Sequence, residues 1–278
     1  MNESKMAAAI ELPKIPDERG NLSFLENGHQ IPFNIKRVQW IFNVPAGEAC
    51  NFASCSQGEE FILALSGSLD LCVGEGGQRE VYHLNRSNLG VYVPAGCPRK
   101  LENFSTNAIA AIVSSQADAA AQALEPAPAR RPAQVASCSR VLNSCCLNIE
   151  PQRHPQRKGD ICVVNNLSQM PFDVKRVFFI YDVPAGAFRG GHAHKELYQL
   201  IVAVSGSFTV RLDDGDDNRS VTLNRPYQAL LVEPGIWSEL NNFSSGSVCL
   251  VLASDLYDAS DYLRRYDKFL QFKIEAHD

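Results

Sequence analysis

The sequence of 278 residues lacks any run of apolar residues long enough to span a bilayer, and its start lacks the apolar core of a signal peptide. We therefore expect neither a transmembrane helix nor a secretory leader. An excess of positive charge is also lacking, since 26 Lys and Arg stand against 31 Asp and Glu, for a net charge of −5. A protein that binds nucleic acid through phosphate contacts is therefore not expected.

No C-x-x-C pair occurs among the nine cysteines, and their odd number does not fit a disulfide framework. We expect reduced thiols and a cytoplasmic location. With 45% apolar and 21% charged residues, the composition is that of a globular chain. The length favours about two domains.

The chain repeats itself at a fixed spacing. PFNIKRVQWIFNVPAG begins at Pro32, and PFDVKRVFFIYDVPAG begins at Pro171, 139 residues later. At the same offset ALSGS matches AVSGS, and one LNR tripeptide matches another. The repeat predicts two copies of one domain, at 7–116 and 143–278, joined by an Ala- and Pro-rich linker at 117–142.

Each copy is rich in short β-branched and aromatic runs that are bounded by turn residues. Strands spaced at roughly 8–12 residues without intervening helices indicate an antiparallel sandwich or barrel, so the expected fold class is all-β. Only the tail is predicted to be helical. There Ser260 and Asp261 are expected to cap a helix whose apolar face carries Tyr262, Tyr266 and Phe269.

The second copy carries a histidine pair in the pattern of the first cupin motif. Gly186 is followed, after five residues, by His192-Ala-His194, and Gln199 stands where this motif usually has an acid. In the second cupin motif Ser238 occupies the position of the usual histidine. Two imidazoles, an amide and a hydroxyl are a poor set of ligands for a divalent ion, so neither a metal nor another cofactor is expected.

Side chains two residues apart on a strand share one face, so both imidazoles should point into the barrel. There they are suited to proton transfer near neutral pH, or to ligand binding. The first copy lacks the pair, because Ala53 and Cys55 take the two histidine positions. It is predicted to have kept the fold and lost the chemistry.

Two stretches of the second copy, RVFFIYDVPAGAFRGGHAHKELYQLIVAVSGSFTVRLDDG and the tail LASDLYDASDYLRRYDKF, resemble the cupin-type nucleotide-sugar 3,4-ketoisomerases. The resemblance covers nearly all of 149–272 and, more weakly, 10–116. It implies two tandem cupin domains and a metal-independent enzyme. The implied substrate is a dTDP-4-keto-6-deoxy-hexose, such as dTDP-4-keto-6-deoxyglucose, in deoxyamino-sugar biosynthesis.

The resemblance also implies roles for particular residues. His192 would be the base that acts on carbon, and His194 would protonate or orient oxygen. Arg189 would face the diphosphate or the sugar oxygens, as suits a bidentate guanidinium. The other implied substrate contacts are Arg176, Phe178, Lys195, Tyr198, Trp237 and Ser238.

Three positions depart from the family pattern. Phe178 replaces a tyrosine that commonly lies near the reacting sugar, and Tyr181 or Tyr198 are the candidates to replace its phenol. Ser238 replaces an Arg or His that is tied to product stereochemistry, and Lys158 stands where relatives carry Tyr or Arg. These departures leave the configuration of the product open.

The resemblance has a consequence for assembly as well. Relatives are typically homodimers of single domains, so the tandem chain is expected to form a pseudo-dimer within itself, with a further homodimer of chains left open. Three alternative functions also stay open: a non-catalytic nucleotide-sugar binding protein, a 3,5-epimerase-like enzyme and a metal-dependent cupin enzyme.

Overall fold

The structure is a computed structural model that describes residues 6–50, 57–117, 148–149, 152–156, 158–167 and 170–275. Most of the predicted linker 117–142, and the positions of Ala53 and Cys55, lie outside the described residues. The described residues form 22 strands, two short 3-10 turns and one α-helix.

The first repeat contributes ten strands, which are short and separated by turns. They are β1 (Ala8–Glu11), β2 (Lys14–Ile15), β3 (Asn21–Glu26), β4 (Arg37–Phe42), β5 (Glu60–Ser66), β6 (Leu69–Val73), β7 (Glu80–Leu84), β8 (Leu89–Val93), β9 (Arg99–Glu102) and β10 (Ile109–Ser114).

The second repeat contributes twelve strands and the helix. They are β11 (Asn148–Ile149), β12 (Gln152–Gln156), β13 (Gly159–Asn165), β14 (Arg176–Tyr181), β15 (Arg189–His194), β16 (Gln199–Ser205), β17 (Phe208–Asp213), β18 (Asn218–Leu223), β19 (Ala229–Val232), β20 (Trp237–Asn241), β21 (Val248–Ala253), β22 (Tyr262–Leu263) and α1 (Tyr266–Glu275). The predicted all-β fold class with a short C-terminal helix is confirmed.

The strands group into two compact units whose limits differ from those of the repeats. Unit 1 gathers the described residues of 1–14, 23–127 and 151–169, and unit 2 gathers those of 15–22, 128–150 and 170–278. Each unit therefore contains a segment that comes from the other repeat. The predicted ranges 7–116 and 143–278 describe the repeats in the sequence, and the compact units differ from them by this exchange.

Equivalent contacts hold the exchanged segment in each unit. In unit 1 the Asn43 amide donates to the Asp160 carboxylate at 2.9 Å, and in unit 2 the Asn21 amide donates to the Asp182 carboxylate at 3.0 Å. At the offset of 139 these are the same two positions with the repeats interchanged. The exchange is therefore reciprocal.

Unit 1 is built on a sheet with the strand order β1-β8-β5-β10-β4-β13-β12 and a smaller sheet with the order β7-β6-β9. The strands β4, β5 and β10 are buried along almost their whole length, which explains their nearly continuous apolar sequences. One apolar core joins both sheets and includes Ile62, Leu71, Leu101, Ile112 and Ile161.

Unit 2 also has two antiparallel sheets. Their orders are β11-β19-β16-β21-β14-β3-β2, in which β3 and β2 carry the segment 15–22, and β18-β17-β20-β15-β22. The core between them includes Ile180, Ile201, Phe208, Leu212 and Leu240. The strand that carries the histidine pair, β15, belongs to the second sheet.

The C-terminal helix begins later than the sequence predicted. Tyr262 and Leu263 pair as β22 with His194 and Ala193, which removes them from any helix, and α1 begins at Tyr266. The prediction that Ser260 and Asp261 cap the helix is therefore wrong. From α1 the fully buried Phe269 packs against Trp237 of β20, with ring centroids 5.7 Å apart.

The structure describes Cys50, Cys72, Cys97, Cys162 and Cys249, and all of these except Cys97 are buried. That the thiols are reduced stays a prediction. In the described part of the chain, no helix has both the length and the apolar character needed to cross a membrane. The cytoplasmic location stays a prediction.

Candidate active site

The histidine pair lies on β15, which is bent by two glycines. Gly190 and Gly191 both have positive φ, and the register with β20 shifts between Gly190 and His192. A Cβ on Gly190 would lie 2.8 Å from the Ser238 carbonyl oxygen, so the bulge needs glycine there. The bulge places His192 opposite Ser238, while His194 pairs with Tyr262.

His192 and His194 face each other edge to face, with ring centroids 5.0 Å apart. Burial, reinforced by the neighbouring His194, lowers the pKa of His192 from 6.5 to about 3. Burial also lowers the pKa of His194, although the Asp261 carboxylate opposes the shift. At neutral pH both imidazoles are therefore uncharged, which is the form a general base requires.

His194 is held on both sides of its ring. Its Nδ1 lies 2.7 Å from Oδ2 of Asp261, and its Nε2 lies 3.2 Å from the amide nitrogen of Gln199. A carboxylate only accepts and an amide nitrogen only donates, so Nδ1 carries the proton and Nε2 accepts. Asp261 is itself fixed, because its Oδ1 accepts from the backbone N–H groups of Lys195 and Glu196 at 3.0 and 2.8 Å.

Tyr262 brings a phenol to the pair. Its ring centroid lies 5.0 Å from that of His192 and 4.3 Å from that of His194. The Arg176 guanidinium donates from Nη2 to the Tyr262 hydroxyl at 3.4 Å. Burial raises the pKa of Tyr262, so the phenol keeps its proton at neutral pH.

Arg176 is buried at the start of β14, with 4% of its surface exposed. Its guanidinium carbon lies 5.3 Å from the centre of the Phe178 ring and 5.6 Å from that of Tyr257. The site therefore combines two neutral imidazoles, a phenol and a guanidinium.

The structure places some of the sequence-predicted residues around this cluster. Besides the two histidines, Arg176 reaches it through Tyr262, and Ser238 lies opposite His192 in the register. Phe178 contacts the guanidinium of Arg176.

Other predicted residues have different neighbours. Arg189 is buried and donates to the Gly20 carbonyl at 3.4 Å, and the Lys195 ammonium donates to the Ser260 carbonyl at 2.7 Å. The Tyr198 ring lies 6.1 Å from that of Phe172.

Trp237, also predicted to contact substrate, packs against α1, and its indole N–H donates to Glu239 at 3.0 Å. Lys158, which departs from the family pattern, belongs to unit 1 and pairs there with Glu48 at 2.7 Å.

Sequence reasoning missed the roles of Asp261 and Tyr262. Both belong to the tail motif D-x-Y-D-x-x-D-Y that carried part of the family resemblance. The acidic and aromatic residues of this tail were the feature of the sequence that could have indicated Asp261 and Tyr262 as site residues. A sequence without pairing information does not show that this tail returns to β15, which lies far back in the chain.

The equivalent position in unit 1 is occupied by an ion-pair cluster. Glu60, at the position of Gln199, accepts two hydrogen bonds from the Arg99 side chain, and Arg99 stands at the position of Ser238. Arg37, the counterpart of Arg176, lies 3.8 Å from the same carboxylate. All three side chains are almost fully buried. Unit 1 thus has a closed network of charges where unit 2 has its histidine site.

Among the described residues, no group of three or more His, Cys, Asp and Glu side chains is arranged to hold a metal ion. The histidine site itself offers two imidazoles beside a single carboxylate, and that carboxylate binds an imidazole proton and two backbone amides. With that carboxylate engaged, only the two imidazoles are left as ligands in the described site, which is fewer than the three or four that zinc or iron requires.

Comparison with known proteins finds similarity over both repeats. The family described as "FdtA: WxcM-like, C-terminal" matches residues 5–120 and again 146–274. A TDP-4-oxo-6-deoxy-alpha-D-glucose-3,4-oxoisomerase of Aneurinibacillus thermoaerophilus is 43% identical over 115 residues, which are 41% of this chain and 83% of that protein.

Two solved structures are similar at the level of one repeat. The 3,4-ketoisomerase of Helicobacter canadensis is 38% identical with a TM-score of 0.46, covering 46% of this chain and 97% of that one. The H51N mutant of the 3,4-ketoisomerase QdtA of Thermoanaerobacterium thermosaccharolyticum, in complex with TDP-4-keto-6-deoxyglucose, is 33% identical with a TM-score of 0.46. It covers 47% of this chain and 95% of that one.

Proposed function

This chain belongs to the FdtA family (WxcM-like, C-terminal), and on that premise we propose that unit 2 catalyses 3,4-ketoisomerisation of a dTDP-4-keto-6-deoxy-hexose without a metal. The matches over both repeats confirm the family resemblance that the sequence indicated. The chain is accordingly an isomerase that moves a keto group within a nucleotide sugar.

The observation that carries the proposal is the neutral histidine pair with Asp261 behind it. Moving a carbonyl from C4 to C3 takes a proton from C3 and delivers one to C4, and it also moves a proton from the oxygen on C3 to the oxygen on C4. Two imidazoles side by side, one of them fixed in a known tautomer, provide separate groups for carbon and for oxygen. No oxidant or reductant is needed, because one carbon is oxidised as its neighbour is reduced.

In the proposed mechanism His192 takes the proton from C3. The electron pair of the C3–H bond forms a C3=C4 double bond, and the carbonyl π pair moves onto the C4 oxygen. This gives an enediolate with its negative charge on that oxygen. The C4 oxygen then gains a proton, the C3 oxygen loses one to become the carbonyl, and C4 takes a proton from the imidazolium of His192.

His194 is suited to the transfer between oxygens. Its Nδ1–H is bound to Asp261, so a proton gained at Nε2 gives an imidazolium that the carboxylate stabilises. The amide nitrogen of Gln199 donates to this Nε2. We propose that a sugar oxygen replaces this amide contact when substrate binds.

Substrate recognition follows in part from the same cluster. We propose that Phe178, Ser238 and Arg176 contact the sugar. Ser238 lies opposite His192, and Arg176 lies between the Phe178 ring and Tyr262, whose ring contacts both imidazoles. Contacts from Arg189, Lys195, Tyr198 and Trp237 stay predictions. The departures at Phe178 and Ser238 bear on which face of C4 receives the proton.

We propose further that the two repeats are the intramolecular counterpart of a dimer. Reciprocal exchange of 15–22 and 151–169 supports this, because each compact unit is completed by a segment of the other repeat. In this proposal the first repeat keeps its fold as the partner of the second, while its own site has the Glu60–Arg99 ion pair at the positions of Gln199 and Ser238.

The proposal is tested by proton NMR of the full chain with dTDP-4-keto-6-deoxyglucose in deuterated water. We expect loss of the C3 proton signal and appearance of a 3-keto product. In the His192→Asn variant both should disappear, while TDP binding and the melting temperature stay close to those of the wild type. The exposed His83→Asn is the matched control and should retain full activity.

A second candidate function, a non-catalytic nucleotide-sugar binding protein, is favoured by Phe178, which removes a phenol from its usual place. TDP binding without any exchange at C3 would support that function and exclude the isomerase. Exchange at C5 would instead indicate the 3,5-epimerase alternative. Activity that a chelator abolishes and a divalent metal restores would support the metal-dependent alternative.

A further inference from the structure

Arg176 is a buried cation with no carboxylate partner in the described part of the chain. Among the residues that the structure describes, no carboxylate lies within ion-pair distance of its guanidinium, and its Nε has no hydrogen-bond partner. The one polar contact described for the group is the donation from Nη2 to the Tyr262 hydroxyl, at the long distance of 3.4 Å. Burying an unpaired charge is costly, so such a group indicates a binding partner beyond the residues that the structure describes.

In the first repeat the equivalent arginine lies near a carboxylate. Arg37, the counterpart of Arg176, lies 3.8 Å from the buried carboxylate of Glu60. In unit 2 that carboxylate is replaced by the amide of Gln199, which contacts His194. The change from an acid to an amide leaves the guanidinium of unit 2 with the Phe178 and Tyr257 rings and the Tyr262 hydroxyl as its described neighbours, and with no carboxylate among them.

The chemistry of the site supplies the missing negative charge. Arg176 and Tyr262 lie beside the imidazoles that handle the protons, with the Tyr262 ring 4.3 Å from that of His194. We infer that Arg176, together with the Tyr262 hydroxyl, binds the negatively charged oxygen of the enediolate. The neutral amide of Gln199 leaves the positive charge of Arg176 without a carboxylate partner until that oxygen becomes negative. This inference rests on the proposed function.

The hydrogen bond from Arg176 to Tyr262 determines which proton each side chain can donate to substrate. Because Arg176 donates to the Tyr262 oxygen, the phenolic proton remains available for donation outward. As His192 removes the C3 proton and the carbonyl electrons move onto the C4 oxygen, that oxygen can accept from the phenol and from the guanidinium. Tyr262 then supplies the phenol that is missing at Phe178, in the role for which Tyr181 and Tyr198 were the sequence-based candidates.

Those two tyrosines have other surroundings. The Tyr181 ring is buried 5.6 Å from that of Phe179, and the Tyr198 ring lies near Phe172. Tyr262 is the tyrosine whose ring contacts both catalytic imidazoles in the described chain.

The decisive variant is Gln199→Glu, which restores in unit 2 the acid that unit 1 carries. A carboxylate there would pair with Arg176 and cancel the charge that the enediolate needs. Loss of one preorganised group of this kind lowers kcat by about 10²–10³-fold. We therefore expect kcat to fall at least about 100-fold, with the Kd for TDP changed by less than about threefold, since the effect falls on the transition state. The matched control is Gln228→Glu in a loop, with activity unchanged.

Two further variants keep the test decisive if Gln199→Glu does not fold. Arg176→Lys keeps the positive charge but loses the planar guanidinium, which can donate two parallel hydrogen bonds. Tyr262→Phe removes only the hydroxyl. We expect kcat to fall about 10-fold or more in each, whereas the exposed Arg211→Met should have no effect. The rate of deuterium exchange at C3 should fall in parallel with kcat, because enediolate formation is the step affected.

The outcomes separate this inference from the proposed function. If the wild type shows no exchange at C3, the proposed function fails and the inference fails with it. If the wild type is active and Gln199→Glu retains more than about a third of its kcat, the inference alone is overturned. A rise in KM with unchanged kcat in Arg176→Lys and Tyr262→Phe would also overturn it, because these groups would then bind the substrate and the transition state equally.

Discussion

The Nδ1 atom of His194 lies 2.7 Å from Oδ2 of Asp261, and the other oxygen of that carboxylate accepts from the backbone N–H groups of Lys195 and Glu196. The tail of the chain thereby fixes both the orientation and the tautomer of an imidazole on β15. We therefore expect Asp261 to be a positioning residue, which would act on the substrate through His194. Its removal should affect catalysis more than binding.

We predict that Asp261→Asn lowers kcat by about 10–100-fold, with KM changed by less than about threefold. The asparagine amide can donate to Nδ1 and so favour the tautomer in which Nε2 carries the proton. In that tautomer Nε2 no longer accepts a proton. The measurement is steady-state kinetics across a range of pH. A change of tautomer should also shift the part of the pH dependence of kcat that reflects the protonation of His194. The exposed Asp267→Asn is the control, and equal losses in both variants would contradict the positioning role.

The partly buried His192 predicts an acid-sensitive fold. Its pKa is about 3 in the folded chain against 6.5 as the ordinary value, so between these values the unfolded chain binds the additional proton. Stability should therefore fall as the pH drops below about 6.5, by about 2 kcal/mol between pH 7 and pH 5 from this residue. His194, whose pKa is also lowered, adds to the loss in the same direction.

Denaturant unfolding at pH 7 and pH 5 measures this effect. The His192→Asn variant should lose about 2 kcal/mol less than the wild type over that interval. Parallel curves for the wild type and His192→Asn would show that His192 is not held uncharged by the fold.

Arg189 is expected to stabilise unit 2 through the segment 15–22. Its guanidinium donates to the Gly20 carbonyl and lies 3.6 Å from the Asp17 carboxylate. Arg189→Met should lower the free energy of unfolding by about 1–3 kcal/mol, as is usual when a buried hydrogen-bonding group is lost. The Kd for TDP should change little.

The measurements for Arg189→Met are thermal unfolding and calorimetry with TDP. Arg225→Met, which removes an exposed cation beside Tyr227, is the control. A tenfold weaker Kd with an unchanged melting temperature would assign Arg189 to the diphosphate instead, as the family resemblance implies.

Restoring the histidines of the first repeat should not restore activity there. In unit 1 Glu60 is tied to Arg99 and lies near Arg37, whereas the active unit has Gln199 and Ser238. We predict that Ala53→His with Cys55→His, made in the His192→Asn background, gives no deuterium exchange at C3 above that of His192→Asn alone. Exchange above this level would mean that the two histidines suffice without the neighbouring amide and hydroxyl.

The sequence predicted the parts of this protein that depend on short-range pattern. The repeat, the all-β class and the shared face of His192 and His194 all follow from offset and alternation. Asp261 and Tyr262 did not follow, because tertiary pairing of β22 with β15 brings them to the site. The same pairing overrode the helical pattern of the tail, so the helix starts at Tyr266.

The segment exchange was also beyond the reach of the sequence. A repeat shows that two domains are alike, and it carries no information on which copy of a strand completes which sheet. Equivalent glycines occur in both exchanged segments, Gly20 against Val183 and Gly159 against Val44, each with positive φ. Identical local signals therefore fit either pairing, and only the three-dimensional contacts distinguish them.

The exchange also sets an order of events during synthesis. Asn21 and Asp182 are 161 positions apart, so the first strand of the catalytic unit leaves the ribosome long before its partner exists. Unit 1 must likewise wait for 151–169. Contacts between such distant residues form slowly, and an unpaired strand edge is prone to aggregate in the meantime. Unit 1 has all of its residues once 169 has been made, whereas unit 2 also needs 170–278, so we expect the unit with the histidine site to complete its fold last.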